Sequence, residues 1–236
     1  MVRVRSATKR SRKTWFRCAL AALFFAAANL VEAGSTLPKV LIIGDSISQG
    51  YTPQLTALLD GKAEITRIPE NGESSSYGVE QLDEWLGSTR WDVISFNFGL
   101  WDVCYRNAAL ADGNDFDKVH GVISVSPEQY RRNLEAIVRR LERTHAHLIW
   151  ENTTVIPEGD PGRKPQDALT YNRIAKEVMD AHGIPVVDLY DLTAGFGPEL
   201  FKRPHNVHYS AAGYQKIAAV VAGAVEEASR RTDDRH

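Results

Sequence analysis

The sequence has 236 residues, of which 43% are hydrophobic and 25% are charged, and its formal net charge is −2. This length and composition suit one globular domain with a sizeable core, and they exclude a fibrous or a disordered chain. The charge balance also argues against the basic surface that a nucleic-acid-binding protein needs.

The first 33 residues have the layout of a secretory signal. Seven Lys and Arg side chains precede an uncharged run of 14 residues, and the segment ends in Val31-Glu32-Ala33, which fits a small-x-Ala cleavage site. The run is short for a membrane span, so we expect residues 1–33 to be removed, with a retained anchor as the alternative. Residues 34–236 would then carry 21 bases against 29 acids. We expect this domain to be secreted or periplasmic, without nucleic-acid binding or stable membrane insertion.

Short apolar segments alternate with helical patterns along the rest of the chain. The predicted strands are Lys39–Ile43, Glu64–Ile68, Trp91–Phe98, Leu148–Thr154 and Ile184–Leu189. Helices are predicted over 75–87, from Ser126 onward, over 167–182 with Gly183 as its end, and around Ile217–Val225. This alternation predicts an α/β fold of three layers, with helices on both faces of a mostly parallel five-stranded sheet.

A serine stands just past the first predicted strand, in Gly44-Asp45-Ser46. Ligands of open parallel sheets bind at the carboxyl ends of the strands, so Ser46 is placed where chemistry is expected. A serine hydroxyl becomes a useful nucleophile only with a base, a group that orients the base, and donors for the oxyanion. The alternative for Ser46 alone is a helix N-cap.

The best candidate for that base lies near the end of the chain. Of the seven histidines, His205 and His208 stand in the loop that directly precedes the last predicted helix. The other five occupy positions that are typical of surface or loop residues. The spacing of His205 and His208 is too sparse for a metal site without further ligands.

With these residues in place, the chain resembles the GDSL/SGNH hydrolase superfamily over residues 34–236. The resemblance consists of a Gly-Asp-Ser block, a glycine block at Pro69–Glu73, Gly99-Leu100-Trp101-Asp102, and a histidine near the end. It implies a flavodoxin-like sheet, Ser46 as nucleophile and His208 as base, and no cofactor. It also implies that the backbone N–H groups of Ser46 and Gly72 hold the oxyanion. A plain Asn-Gly turn is the alternative for Gly72.

One departure from the family pattern concerns the oxyanion hole. The asparagine that the third block of the family carries falls on Trp101, whose indole can donate through its ring N–H but has no amide. Asn97 or, slightly less favoured, Asn152 could supply a side-chain donor from a neighbouring strand end. Trp101 could instead stack on a sugar ring at the edge of the site.

A second departure concerns the group that orients His208. His205 stands where the family carries aspartate, three residues before the base. Asp188 and Asp191, at the end of the fifth predicted strand, are possible substitutes. A neutral acceptor such as a backbone carbonyl can also hold the imidazole tautomer, and we favour this Ser–His dyad.

The resemblance predicts a serine esterase that removes a small acyl group, such as acetyl, from a carbohydrate through an acyl-enzyme. Three alternatives stay open at this point: a lipid or thioester acylhydrolase, a polysaccharide O-acyltransferase, and a carbohydrate-binding module that has lost its chemistry. The product of the reaction separates hydrolase from transferase, and covalent labelling of Ser46 separates both from a binding module.

Overall fold

The computed structural model describes Met1, residues 37–111 and residues 115–233. The chain divides into two units, Met1–Thr36 and Leu37–His236. Apart from Met1, the signal peptide predicted over residues 1–33 lies outside the described residues, so its assignment stays a prediction. The second unit contains all of the secondary structure given below.

The second unit is built on a parallel sheet. The strands are, in chain order, β1 (Lys39–Ile43), β2 (Glu64–Arg67), β3 (Val93–Phe96), β4 (Tyr105–Arg106), β5 (Val122–Ile123), β6 (His147–Glu151) and β7 (Val186–Val187). Five of them form one sheet in the order β2-β1-β3-β6-β7, with every neighbouring pair parallel. The short strands β4 and β5 form a separate antiparallel pair. The order of the main sheet is that of a flavodoxin-like doubly wound fold, which confirms the predicted architecture.

Helices cover both faces of this sheet and complete the three layers. They are α1 (Ser46–Leu58), α2 (Ser75–Leu86), α3 (Pro127–Glu142), α4 (Pro165–Ala181), α5 (Leu189–Ala194) and α6 (Ala211–Asp233). Helix α1 packs against α6, whereas α2 packs on α3 and α3 on α4. Strand β1 is buried from Val40 to Ile43, as its unbroken apolar run predicts, and β3 is buried along its whole length. Among the helices of the described residues, none combines the length and the apolar character of a membrane span.

The predicted start of α3 at Ser126 and the predicted end of α4 before Gly183 are confirmed, but four of the five predicted strands are too long. Ser126 Oγ accepts a hydrogen bond from Gln129 N, and Gly183 adopts a φ of 65° after α4. Strand β7 begins late because Ile184 N still bonds back to Met179 O of α4, at 2.9 Å. Strands β3 and β6 end early. Asn97 N still donates to Ile43 O at 3.0 Å and Asn152 N to Val187 O at 3.1 Å, and the side chains of both asparagines make contacts at the carboxyl edge of the sheet.

Candidate active site

Ser46 is the first residue of α1, at the carboxyl end of β1. The N-cap of this helix is Asp45, whose buried Oδ1 accepts a hydrogen bond from Ile47 N at 2.8 Å. Burial raises the pKa of this carboxyl above its usual value. The N-cap alternative for Ser46 is therefore wrong, because the neighbouring aspartate caps the helix and leaves the serine hydroxyl available.

The Ser46 hydroxyl is paired with His208. The distance from His208 Nε2 to Ser46 Oγ is 2.9 Å, although 162 positions separate the two residues in the chain. The loop before α6 brings the histidine there, and a hydrogen bond of 2.9 Å from Lys202 N to His208 O closes this loop. Burial and then the positive charges of Lys202, Arg163 and Arg203 lower the pKa of His208. A neutral imidazole near pH 7 is the form that can accept the serine proton.

Asn206 orients His208, and the sequence analysis missed it. Asn206 Oδ1 lies 3.1 Å from His208 N and 2.9 Å from His208 Nδ1. A backbone N–H can only donate, so the atom that faces it is the amide oxygen. The same oxygen then requires a proton on Nδ1, which leaves Nε2 as an acceptor for the Ser46 hydroxyl. An asparagine two residues before a backbone N–H is a familiar local turn, and the segment Asn206-Val207-His208 contained this signal.

Two of the side chains predicted to orient His208 make other contacts, and the third, Asp191, belongs to a helix that Asp188 caps. The exposed His205 has a φ of 57° and bonds through Nδ1 to Glu158 O, at 2.5 Å. Asp188 caps α5 by accepting from Asp191 N at 2.9 Å, and Asp191 lies in the first turn of that helix. The predicted roles of these residues are wrong because α5 begins directly after β7 and uses the aspartate as its cap. The neutral acceptor that we favoured is present, as a side chain instead of a backbone carbonyl.

The backbone N–H predicted to complete the oxyanion hole is already used. Gly72 N donates to Gly44 O at 3.0 Å, so its N–H does not face the reacting centre. The two backbones approach so closely that a Cβ at position 72 would lie 2.9 Å from that oxygen, which requires glycine. The conformation of Gly72 therefore stabilises the turn before Ser46.

Two of the three candidate side-chain donors for the oxyanion already donate hydrogen bonds to other acceptors. Asn97 Nδ2 donates to Glu151 O at 2.7 Å, and Asn152 Nδ2 donates to Asp188 Oδ1 at 2.8 Å. Trp101 is half-buried, with the guanidinium of Arg106 5.2 Å from its ring centroid. Within the described residues, neither the Trp101 indole N–H nor the backbone N–H of Ser46 has an acceptor.

A second residue that the sequence analysis missed is Arg67, at the end of β2. Its half-buried guanidinium donates to Gly44 O at 2.8 Å, to Glu70 O at 2.9 Å and to Ser48 Oγ at 3.0 Å. Arg67 thus connects the Gly44–Ser46 turn to the loop that contains Gly72. A cation at the end of a predicted strand, beside the glycine block, was the available signal.

The buried side chain of Glu151 connects α1 to the sheet through hydrogen bonds. This buried carboxyl accepts hydrogen bonds from Tyr51 of α1, at 2.8 Å, and from Ser95 of β3, at 2.6 Å. Burial raises the pKa of Glu151 to about 7. A glutamate directly after the apolar run Leu148–Trp150 was visible in the sequence, but its two hydrogen-bond partners come from distant segments.

Comparisons with known proteins agree with this fold. The family model for the GDSL-like lipase/acylhydrolase family matches residues 42–216. No curated protein matches the sequence significantly. Solved structures that it resembles include a lipase/acylhydrolase from Enterococcus faecalis, with 18% identity, a TM-score of 0.66, and coverage of 81% of this chain and 96% of the other.

Two further similar structures are acetyl xylan esterases. One is the acetyl xylan esterase AlAXEase, with 20% identity, a TM-score of 0.65, and coverage of 79% of this chain and 99% of the other. The other is a catalytic mutant of the acetylxylan esterase Axe2 from Geobacillus stearothermophilus, with 20% identity, a TM-score of 0.59, and coverage of 78% and 92%. At these identities the likeness concerns the fold alone.

Proposed function

The chain belongs to the GDSL-like lipase/acylhydrolase family, a class of ester hydrolases, and from this premise we propose that it is a serine esterase that removes a small acyl group, such as acetyl, from a carbohydrate. The observation that carries the proposal is the distance of 2.9 Å between Ser46 Oγ and His208 Nε2. The tautomer set by Asn206 makes that nitrogen the acceptor, as nucleophilic catalysis by a serine requires.

In the proposed reaction, Ser46 Oγ attacks the acyl carbon of the ester while its proton passes to His208 Nε2. The electron pair of the carbonyl moves onto the oxygen, and the resulting tetrahedral intermediate collapses when His208 returns the proton to the leaving alcohol. A water molecule then repeats the sequence on the acyl-enzyme and releases the carboxylic acid. Asn206 keeps the imidazole in place throughout, without contributing a charge.

Two observations support a short acyl group and a sugar. Trp101 stands at the edge of the site and offers an aromatic surface to a sugar ring. Two proteins of similar structure are acetyl xylan esterases. The proposal also includes export of the enzyme, because residues 1–33 have the pattern of a signal peptide.

A fluorophosphonate probe tests the serine mechanism. The probe should label the wild-type protein on Ser46, and Ser46→Ala should abolish both labelling and ester hydrolysis. Ser88→Ala is the matched control, since Ser88 is exposed in the turn after α2. Unlabelled wild-type protein that still binds sugars would refute the proposal in favour of a binding module.

A substrate panel tests the specificity. Acetylated xylan and other acetylated glycans should release acetate, whereas long-chain lipid esters and acyl thioesters should react much more slowly. The reverse preference would identify a lipid or thioester acylhydrolase. Transfer of the acetyl group to an added sugar, in place of free acetate, would identify an O-acyltransferase.

A further inference from the structure

The proposed reaction places a negative charge on the acyl oxygen, and three of the donors expected to stabilise it are used elsewhere. Gly72 N donates to Gly44 O, and the amides of Asn97 and Asn152 donate to acceptors at the sheet edge. Removing a single oxyanion donor typically costs about 10²–10³ in turnover. An efficient esterase at this site therefore needs a further donor beside the backbone N–H of Ser46.

Arg163 reaches the same part of the site from another loop. It lies between β6 and α4, and its Nε donates to Leu100 O at 2.6 Å. Leu100 immediately precedes Trp101, the position at which the expected amide donor is missing. The side chain of Arg163 is only 11% exposed, so its charge acts in a medium less polar than water.

Most of the guanidinium of Arg163 remains available. Among the described residues, its contacts apart from the bond to Leu100 O are that of Nη1 with Asp160 Oδ2 at 3.5 Å, a long distance for an ion pair, and that of Cζ with the Phe116 ring centroid at 5.8 Å. Within the described residues, Nη2 has no acceptor. The neighbouring Arg106 differs, because its Nη1 donates to both oxygens of Asp115, at 2.7 and 2.9 Å. Arg163 is thus a buried cation with unused donors.

The charge of Arg163 acts on both sides of the Ser46–His208 pair. It is the strongest of the charges that lower the pKa of Asp45, the residue before the nucleophile. It is second to Lys202 among the charges that lower the pKa of His208. Lys202 is exposed to solvent, whereas Arg163 is nearly buried. A cation that influences both neighbours of the reacting centre is suited to stabilise an anion that forms between them.

We propose that Arg163 is a catalytic residue of this esterase, and that its Nη groups donate hydrogen bonds to the acyl oxygen as that oxygen becomes negatively charged. This inference rests on the proposed function. No proton is transferred to or from the guanidinium in this step, because the serine proton goes to His208 and the carbonyl electron pair stays on oxygen. Arg163 thus takes the place of the amide donor that is absent at position 101.

Steady-state kinetics on a neutral acetyl ester test the role of Arg163. Arg163→Gln should lower kcat by about 10²–10³ and leave KM nearly unchanged, because the missing interaction forms only in the transition state. Arg163→Lys should recover part of the loss, since it restores the charge but not the forked donor. Arg173→Gln, on the exposed side of α4, is the matched control and should behave like the wild type.

A second variant tests whether the loss of activity comes from misfolding. Arg163→Gln leaves the carboxylate of Asp160 buried without its cation, so Arg163→Gln/Asp160→Asn restores neutrality and should show the same loss of kcat. Wild-type-like kcat in either variant would overturn the role of Arg163 while leaving the esterase intact. A rise in KM that occurs only with anionic esters would also overturn it, in favour of substrate binding. A wild-type protein without esterase activity or fluorophosphonate labelling would instead refute the proposed function itself.

Discussion

Replacing Asn206 by aspartate should move the acid limb of the activity profile to higher pH. The new carboxylate would lie about 2.9 Å from His208 Nδ1, where the amide oxygen lies now. Even with the dielectric constant of bulk water, a unit charge at that distance stabilises the imidazolium by about 1.4 kcal/mol, or about one pKa unit. The half-buried position of His208 makes this a lower bound. Because the neutral imidazole is the base, Asn206→Asp needs a higher pH to reach full activity.

The assay is the pH dependence of kcat/KM for the wild type and the variant, with an NMR titration of the His208 ring as an independent readout. The wild-type limb should lie below the ordinary histidine range, since burial and three cations lower the pKa of His208. Gln81→Glu adds the same charge on α2 and should leave the limb in place. If the acid limbs of kcat/KM for the wild type and Asn206→Asp lay at the same pH, the assignment of Asn206 as the orienting residue would be refuted.

Three further outcomes follow from the contacts described. Trp101→Phe should change kcat by less than about three-fold and raise KM, and a loss near 10² in kcat would make the indole the oxyanion donor instead. His205→Ala should lower kcat/KM by less than about ten-fold, because its ring bonds Glu158 O and not His208; a larger loss would show that this contact positions the base. Burial raises the pKa of Glu151 from 4.5 to about 7, so its carboxyl stabilises the folded state below that pKa and loses this effect as pH rises. Between about pH 5 and 8 the unfolding free energy of the wild type should fall by about 2–3 kcal/mol relative to that of Glu151→Gln. Denaturation midpoints that change with pH in parallel for the two proteins would contradict this.

The sheet and the Ser46 turn could be predicted because their signals are local. Apolar runs, a serine cap at Ser126 and a glycine at 183 each determine structure within a few residues, and alternation of elements then determines the layers. The signal for the orienting residue Asn206 was also local, but the family pattern places the orienting acid at position 205. The turn between Asn206 and His208 was therefore overlooked.

The donors of the site could not be predicted, because each depends on which acceptor is nearest in space. Whether Gly72 faces a substrate or Gly44 O is decided by the packing of two loops that are 28 positions apart in the chain. In the same way, Arg67 and Arg163 acquire their importance only when distant carbonyls are brought to them. Hydrogen bonds between remote segments leave no periodic pattern in the sequence.

The turn that contains both His208 and Asn206 has a mechanical consequence. When a base and its orienting group come from different elements, two distances must be kept while the protein fluctuates. Here the imidazole and its acceptor move together as one short piece of chain, so that a displacement of the loop changes only the gap to Ser46. Such a displacement would interrupt turnover but leave the proton on Nδ1 of His208. The imidazole would therefore be ready to accept the serine proton as soon as the loop returned.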